Sequence, residues 1–354
     1  MSATPTNAPV MRVDDLHMQF KRRRSMTERL SGQPARIVHA LNGVSFTVAR
    51  GETLGIVGES GCGKSTLARC LVRLNTPTAG TISYDGKDVL TLAGAAQRDY
   101  HRRVQMVFQD PYGSLNPRMT VRQTLTEAIG FHGLRAGNAV AERVSELLGL
   151  VRLPADAADR YPHEFSGGQR QRIGIARALA VEPECLIADE LVSALDVSVQ
   201  AQIINLLLEL QQRLHLTILF IAHDLRLIRH ISHRVAVMYL GAIVELAETE
   251  TLFSAPAHPY TEALLKAAPE LNPARRSTID AVRGELPSPL ALPSGCPFHP
   301  RCRYVMERCR VERPLLEGRG PHHLAACHLE RGMLGMTVQA QSEELIRARI
   351  GGMK

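Results

Sequence analysis

Residues 58–66 of the chain read Gly58-Glu59-Ser60-Gly61-Cys62-Gly63-Lys64-Ser65-Thr66. They fit the pattern G-x-x-x-x-G-K-S/T, in which glycines let backbone N–H groups turn toward phosphate oxygens. In this pattern the lysine reaches the β- and γ-phosphates, and the hydroxyl that follows it can ligate Mg²⁺. The flanks predict a buried strand over residues 53–57 and a helix over residues 64–74, with the helix N-terminus facing the anion. A plain glycine-rich turn is the alternative, but the order of strand, loop and helix favours a phosphate-binding loop.

Composition limits the kinds of protein that the chain can be. With 354 residues it is long enough for two or three domains. The net charge is +7 and the one basic run is Lys21-Arg22-Arg23-Arg24, so binding to nucleic acid is not expected. No apolar run approaches the roughly 20 residues of a membrane-spanning helix, so any membrane role is expected to be peripheral. Residues 1–10 lack the apolar core of a secretion signal and are expected to form a flexible tail.

The segments around the loop predict an antiparallel β subdomain. Residues 11–20 and 44–48 show short alternating apolar patterns that indicate a strand pair, with the polar residues 21–36 as an insertion in the hairpin. Residues 80–86 predict a strand that enters a tight Asp-Gly turn. Phe20 could stack on an adenine ring or pack beneath the hairpin, and residue type alone does not decide between them.

Further along the chain, the pattern changes to that of an α/β core with a helical insertion. Residues 104–108 predict a strand that ends at Gln109, at the edge where α/β folds bind their ligands. Residues 121–153 have helical spacing that is broken at Gly133 and Gly137. The positions expected to face inward are Leu125, Ile129, Val144, Leu147 and Leu148.

A second glycine motif, Ser166-Gly167-Gly168-Gln169, precedes another predicted helix. Ser166 is a plausible N-cap, and Ile173, Ala176 and Leu179 lie on one face of that helix. Taken alone, Ser-Gly-Gly is usually a loop. Because two glycines beside a helix start expose free N–H donors, we interpret it as a second anion-binding surface.

Two carboxylates end the apolar run that starts at residue 185. Asp189 can help to hold Mg²⁺ through its water shell, and Glu190 can polarise a water that attacks a γ-phosphate. Asp196 could instead cap the next helix, whose inward positions are predicted at Val199, Ile203, Leu206, Leu207 and Leu210. Residues 217–222 predict a strand that ends at His223. A lone histidine is more often structural, but its place beside the predicted phosphate site favours function.

In this order the motifs closely resemble those of an ABC-transporter ATPase subunit. Three further stretches look like the ATP-binding subunits of bacterial oligopeptide/dipeptide importers: residues 109–118 (QDPYGSLNPR), 258–261 (HPYT) and 295–302 (GCPFHPRC). The resemblance runs from about residue 11 to about residue 330. It implies an α/β fold, with a P-loop NTPase (RecA-like) core, an antiparallel β subdomain, an α-helical subdomain and a small loop-rich C-terminal metal-binding extension.

The expected boundaries place the flexible tail at 1–10 and the ATPase domain at 11–265, with the helical subdomain at about 112–180. The extension is expected at 266–330, and residues 331–354 have no assigned role.

The resemblance also implies a role for each matching residue. Glu190 activates water, His223 contacts the γ-phosphate, and Gln109 senses the metal and contacts the membrane subunit. Phe20 is the implied adenine platform. The signature residues Ser166, Gly167, Gly168 and Gln169 face the nucleotide of the opposite ATPase subunit, and Leu191 departs from the proline that many relatives carry after the glutamate. Residues implied to hold ATP or Mg²⁺ are Gly58, Ser60, Gly61, Cys62, Gly63, Lys64, Ser65, Thr66, Gln109, Asp189 and Asp196.

Four of the seven cysteines lie close together in the C-terminal extension, with the spacing C-x5-C-x6-C-x17-C: Cys296, Cys302, Cys309 and Cys327. A short segment with little core is expected to need a metal staple. Zinc and an iron–sulfur cluster both suit four thiolates, and free thiols are the alternative. The family resemblance implies a [4Fe-4S] cluster. A brown protein would support iron, and a colourless anaerobic preparation with stoichiometric zinc would exclude it.

The expected function is ATP hydrolysis that energises import of di- or oligopeptides from the cytoplasmic face of the bacterial inner membrane. The implied partners are a second, related ATPase subunit in a head-to-tail heterodimer, two membrane permeases and, indirectly, an extracytoplasmic substrate-binding protein. A related nickel or glutathione importer would share these features. A soluble ABC ATPase that acts on nucleic acid is the alternative from another class, but such proteins usually join two ATPase units or carry large DNA-binding inserts.

Overall fold

The computed structural model describes residues 9–21, 37–110, 113–193, 195–267, 284–330 and residue 334. Predictions for the start of the N-terminal tail, the insertion at 22–36, Pro111, Tyr112, Ala194 and most of the segment after residue 330 lie outside these ranges. None of the helices in the described ranges is long and apolar enough to cross a membrane.

The strands form a four-stranded antiparallel sheet and an eight-stranded mixed sheet. The first contains β1 (Pro9–Lys21), β2 (Ile37–Ala49), β4 (Ala79–Tyr84) and β5 (Lys87–Asp88) in the order β2-β1-β4-β5. The second contains β3 (Thr53–Val57), β6 (Val104–Val107), β7 (Cys185–Asp189), β8 (Thr217–Ala222), β9 (Arg234–Tyr239), β10 (Ala242–Glu248), β11 (Glu317–Gly320) and β12 (His323–Ala325). Its order is β11-β12-β10-β9-β3-β8-β7-β6.

The α-helices of the described ranges connect these strands or form the helical subdomain. They are α1 (Lys64–Leu71), α2 (Gly94–Arg103), α3 (Val121–Phe131), α4 (Asn138–Leu150), α5 (Gly167–Leu179), α6 (Val197–Leu214), α7 (Leu225–Ile231), α8 (Thr249–Ser254), α9 (Pro259–Ala267) and α10 (Glu307–Val311). Short 3-10 turns lie at Val89–Thr91, Ala155–Asp159, Pro162–Glu164 and His299–Arg301.

The centre of the large sheet is parallel and buried on both faces. Strands β6, β7, β8, β3 and β9 run parallel, and every residue of β3, β7 and β8 is buried. Such strands are continuous apolar runs because helices cover both faces of the sheet. Their carboxyl ends meet at one edge, which is where an α/β fold binds its ligands.

The antiparallel sheet follows the predicted hairpin, although β2 begins at Ile37, earlier than the predicted residue 44. The turn between β4 and β5 has positive φ at Asp85 (48°) and at Gly86 (72°). Two such residues in succession suit a tight hairpin turn, so the predicted Asp-Gly turn is confirmed.

The predicted helical insertion is present as α3 and α4, separated by residues 132–137, and its five predicted inward positions are all buried. Helix α5 buries Ile173, Ala176 and Leu179 as predicted. In α6, Val199 is only half-buried, whereas the other four predicted positions are buried. Helix α1 ends at Leu71, before the predicted residue 74, because Arg73 adopts a left-handed φ of 59° that terminates the helix.

The described part of the C-terminal extension contains two strands that the sequence did not predict. β12 pairs with β10 and β11 pairs with β12, which extends the large sheet. The buried carboxylate of Glu245 on β10 accepts hydrogen bonds from the backbone N–H groups of Ala257 (2.7 Å) and His258 (3.0 Å). His323 Nε2 on β12 lies 2.7 Å from the same carboxylate, so polar contacts join the extension to the core.

Candidate nucleotide-binding site

The predicted phosphate loop lies between β3 and α1. A Cβ atom at Gly58 would be 2.2 Å from the carbonyl oxygen of Met238, and one at Gly63 would be 2.4 Å from that of Ala40. Gly63 also has a φ of 108°, so both positions require glycine. Ser60 and Gly61 are exposed at the tip of the loop. The backbone is therefore held at both ends and open to solvent between them.

Lys64, the first residue of α1, is buried and directs its ammonium group back across the loop. Lys64 Nζ donates to the carbonyl oxygens of Gly58 (2.7 Å) and Glu59 (3.1 Å), and it lies 3.9 Å from Glu190 Oε1. A cation held at this position can meet the phosphates of a nucleotide that lies in the loop.

Ser65 and Asp189 lie together, as a shared Mg²⁺ site requires. Ser65 Oγ donates a 3.1 Å hydrogen bond to Asp189 Oδ1 at the end of β7. Burial raises the pKa of Asp189, while the hydrogen bond from Ser65 opposes that shift. A hydroxyl and a carboxylate are the hard oxygen donors that Mg²⁺ prefers, so the pair fits the predicted ion.

Glu190 stands one residue beyond β7 in a left-handed conformation, with a φ of 45°. Its backbone N–H donates to the carbonyl oxygen of Ile221 (2.9 Å), and its Oε2 accepts a 2.8 Å hydrogen bond from Gln109 Nε2. A non-glycine residue with this φ is strained, and such strain is common at functional sites. The structure thus brings together Gln109, Lys64 and Glu190, which are far apart in sequence.

His223 follows β8 directly and is exposed. Because β8 lies between β3 and β7, His223 ends at the same edge as the phosphate loop and Glu190. The next residue, Asp224, caps α7 by accepting from the N–H of Arg226 (2.8 Å). The predicted position of His223 is therefore confirmed, and its contact with a γ-phosphate stays a prediction.

The signature motif forms a complete capping box at the start of α5. Ser166 Oγ accepts from the N–H of Gln169 (3.4 Å), and Gln169 Oε1 accepts from the N–H of Ser166 (3.0 Å). A Cβ atom at Gly168 would be 2.4 Å from Val199 Cγ1, so close packing on α6 requires glycine there. Ser166 itself is exposed, with the helix N-terminus behind it.

Two other predicted residues lie apart from these contacts. Phe20, near the end of β1, is 39% exposed and does not pack in the core, which favours the adenine interpretation over packing beneath the hairpin. Asp196 is exposed at the N-cap position of α6, and its side chain makes no cap hydrogen bond there.

Sequence reasoning missed two residues that contact the phosphate loop. Tyr260 in α9 accepts a 2.9 Å hydrogen bond from the N–H of Glu59, and Arg301 pairs with the Glu59 carboxylate. Tyr260 lies in residues 258–261 and Arg301 in residues 295–302, two of the stretches that resemble the peptide importers. That resemblance is the only signal in the sequence that points to either residue.

The cysteine cluster is only partly as predicted. The backbone N–H of Cys296 donates to the carbonyl oxygen of Cys309 (2.8 Å). Burial raises the pKa of Cys296 to about 11 and that of Cys302 to about 12. Within the described ranges, no group of three or more histidine, cysteine or acidic side chains is arranged to hold a metal ion. The geometry does not support the predicted iron–sulfur cluster or zinc site.

Comparisons with known proteins agree with this geometry. The sequence matches the ABC transporter family over residues 41–193 and the oligopeptide/dipeptide transporter C-terminal region over residues 244–309. It is 54% identical over 293 residues to the probable peptide ABC transporter ATP-binding protein y4tS of Sinorhizobium fredii, covering 83% of each chain. It is 49% identical over 324 residues to the oligopeptide transport ATP-binding protein AppF of Bacillus subtilis, covering 90% of this chain and 97% of that one.

Among solved structures, the chain resembles the dimeric post-hydrolysis state of the ATP-binding cassette MJ0796 bound to ADP and Pi. The TM-score is 0.59 at 27% identity, over 68% of this chain and 98% of that chain.

Proposed function

Because this chain belongs to the family of peptide ABC transporter ATP-binding proteins, we propose that it hydrolyses ATP to drive peptide import through membrane permeases. One observation carries the proposal. Lys64, the Ser65–Asp189 pair and Glu190 converge at the carboxyl edge of the parallel sheet, around an open phosphate loop. This set supplies a cation for the phosphates, oxygen ligands for Mg²⁺ and a carboxylate for water.

The proposed reaction uses these groups in place. Lys64 and the loop N–H groups bind the β- and γ-phosphates. Ser65 and Asp189 would hold Mg²⁺, which would neutralise charge on the phosphate oxygens. Glu190 accepts a hydrogen bond and then a proton from the attacking water, and Gln109 fixes the Glu190 carboxylate through their 2.8 Å contact. The proton then leaves Glu190 with the phosphate product. The γ-phosphoryl group passes to the water oxygen, the bond to the β-phosphate oxygen breaks, and ADP and phosphate leave.

The signature motif is proposed to complete the site of a second ATPase subunit. Ser166 is exposed at the N-terminus of α5, and Gly167 and Gly168 stand in the first turn of this helix. The backbone N–H groups of this turn and the positive end of the helix dipole can therefore bind an anion that a second subunit holds. A γ-phosphate held between two such subunits would join them, and hydrolysis would weaken the contact. ATP binding and hydrolysis then alternate between closed and open states.

A groove beside Gln109 suits a permease. It has a volume of about 550 Å³ between the helical subdomain and the core, and its lining combines charged side chains with the apolar side chains of Leu74, Phe108 and Phe131. Phe131 is 75% exposed and Leu74 is also exposed, which is costly unless a partner covers them. Phe108 directly precedes Gln109, so an apolar permease segment in this groove would sense the position of the Gln109–Glu190 pair. The proposed location of the chain is therefore the cytoplasmic surface of the membrane, where such a permease segment would be reached.

The experiment that tests the proposal replaces Glu190 by Gln in the assembled transporter. We expect Glu190→Gln to lower ATP turnover by about 10²- to 10⁴-fold, because the amide cannot accept the water proton, while ATP binding is kept. Glu209→Gln serves as the control, since Glu209 is an exposed carboxylate on α6 paired with Arg152. Turnover at the wild-type rate in Glu190→Gln, with peptide uptake intact, would refute the assignment.

A further inference from the structure

Two side chains that follow β10 in the sequence, those of Tyr260 and Arg301, contact Glu59 of the phosphate loop. Tyr260 Oη, near the start of α9, accepts a hydrogen bond from the N–H of Glu59. Arg301, in the turn His299–Arg301, makes two charged hydrogen bonds to the Glu59 carboxylate: Nη1 to Oε2 at 3.0 Å and Nη2 to Oε1 at 3.2 Å. Backbone and side chain of the same loop residue are thus fixed by the C-terminal part of the chain.

These two residues are themselves rigidly supported. Tyr260 is fully buried, and the Arg301 side chain is only 6% exposed. The ring of Tyr239 packs at 4.7 Å from Tyr260 and at 5.2 Å from Phe298, and Arg301 lies over that ring at 5.8 Å. A part-buried bidentate arginine–carboxylate pair is directional and stronger than a single hydrogen bond. The Glu59 side chain therefore has one defined position.

The charge of Glu59 explains why that position matters. Glu59 is the second residue of a loop that receives a polyphosphate, and its carboxylate remains 26% exposed. An uncompensated carboxylate there would repel the nucleotide, and it could rotate toward the open tip at Ser60 and Gly61. The guanidinium of Arg301 neutralises this charge and holds the carboxylate in one part-buried position.

We propose that Arg301 and Tyr260 are positioning residues for ATP binding: they neutralise and anchor Glu59, so that the C-terminal region sets the affinity of the phosphate loop. The inference rests on the proposed function, because it concerns affinity for ATP. Neither residue touches the reacting atoms. The expected effect therefore lies in the KM and Kd for MgATP and not in kcat.

The test measures MgATP binding to the full-length chain, and KM and kcat in the assembled transporter, for Arg301→Ala, Glu59→Gln and the double variant. Arg301→Ala is expected to raise KM and Kd for MgATP about tenfold, because the Glu59 carboxylate is then uncompensated near the nucleotide phosphates. The kcat should stay within about twofold of the wild-type value. Glu59→Gln removes the repelling charge, so the double variant is expected to recover most of the lost affinity. Recovery of this kind would not follow if Arg301 only stabilised the fold.

Arg308→Ala is the matched control, since Arg308 is an exposed arginine of the same region whose carboxylate partner is Glu312. If Arg301→Ala does not fold, Tyr260→Phe decides, because it keeps the ring and removes only the acceptor for the Glu59 N–H. Tyr260→Phe is expected to raise KM several-fold. An unchanged MgATP affinity in Arg301→Ala overturns the inference, and so does an unchanged affinity in Tyr260→Phe if Arg301→Ala does not fold. A double variant that binds MgATP as weakly as Arg301→Ala also overturns it. Absence of ATPase activity in the wild-type transporter would instead overturn the proposed function.

Discussion

The side chain of Glu184, just before β7, accepts hydrogen bonds from two arginines. Arg103 Nε donates to Oε1 (2.8 Å), Arg103 Nη2 donates to Oε2 (2.8 Å), and Arg50 Nη1 also donates to Oε2 (2.8 Å). The hydrogen bond from Arg103 is the main reason that the pKa of Glu184 falls from 4.5 to about 2. Both arginines also pair with Asp85 in the β4–β5 turn, so the group joins the two sheets.

The lowered pKa predicts how stability depends on pH. The charged form of Glu184 stabilises the fold at pH values above 4.5, and this contribution is lost as the pH falls from about 4.5 toward 2. Because the side chain is 34% exposed, solvent screening reduces the contribution to about 1 kcal/mol. Glu184→Gln should therefore lower the urea midpoint at pH 7, and the difference from wild type should shrink near pH 3. Asp159→Asn breaks an exposed ion pair with Arg122. It should leave the urea midpoint unchanged both at pH 7 and near pH 3. A constant difference at both pH values would contradict the assignment.

The sequence predicts those site residues that belong to a local motif. It does not predict those that reach the site through contacts between distant parts of the chain. Lys64 and Ser65 stand at fixed offsets in one loop, and Glu190 follows an apolar strand. Tyr260 and Arg301 reach the same loop from 201 and 242 residues away, and no spacing rule covers such separations. Their contact with Glu59 depends on how the C-terminal region packs.

Helices α3 and α5 both begin with a capping box. Comparing the two helices therefore separates the effect of a lost N-cap on stability from an effect on the proposed contact with the second ATPase subunit. Thr120 Oγ1 accepts from the N–H of Gln123 (3.3 Å), and Ser166 Oγ accepts from that of Gln169. Thr120→Ala and Ser166→Ala should each cost about 1 kcal/mol of stability, because each leaves an N–H group without its cap. Only Ser166→Ala is expected to weaken ATP-dependent association with the second ATPase subunit, measured by analytical ultracentrifugation. Equal weakening by both variants would mean that Ser166 acts only as a cap.

Element boundaries were predictable where the signal is a cap or a turn. The start of α5 follows from Ser166 and the glycines, and the box Thr120-Val121-Arg122-Gln123 carries the same signal for α3. The end of α1 was missed because Arg73 takes a left-handed conformation that glycine usually adopts. Strands β11 and β12 were missed as well. They are short, and β11 has the sequence Glu-Gly-Arg-Gly, which shows no alternation of apolar and polar residues.

The whole molecule joins its ATP site to two outward surfaces, the signature turn and the apolar groove. Gln109 connects the ATP site with the groove, because it donates a hydrogen bond to Glu190 and directly follows Phe108, which lines the groove. The C-terminal region belongs to the same body, since β12 extends the large sheet and Arg301 holds the phosphate loop. In the proposed docking, a permease segment in the groove would act on the ATP site through the side chain of Gln109.

That arrangement predicts that membrane association and ATP binding can be separated by one substitution. Phe131→Asp places a charge on an exposed side chain of the groove and should reduce binding to membranes that contain the permeases by about tenfold, with ATP affinity unchanged. Val311→Asp is the matched control, because Val311 is 81% exposed on α10 in the C-terminal extension, outside the groove. Co-sedimentation with permease-containing vesicles measures both. If Val311→Asp releases the chain while Phe131→Asp remains bound, the permease docks on the extension, and Gln109 does not transmit its movement.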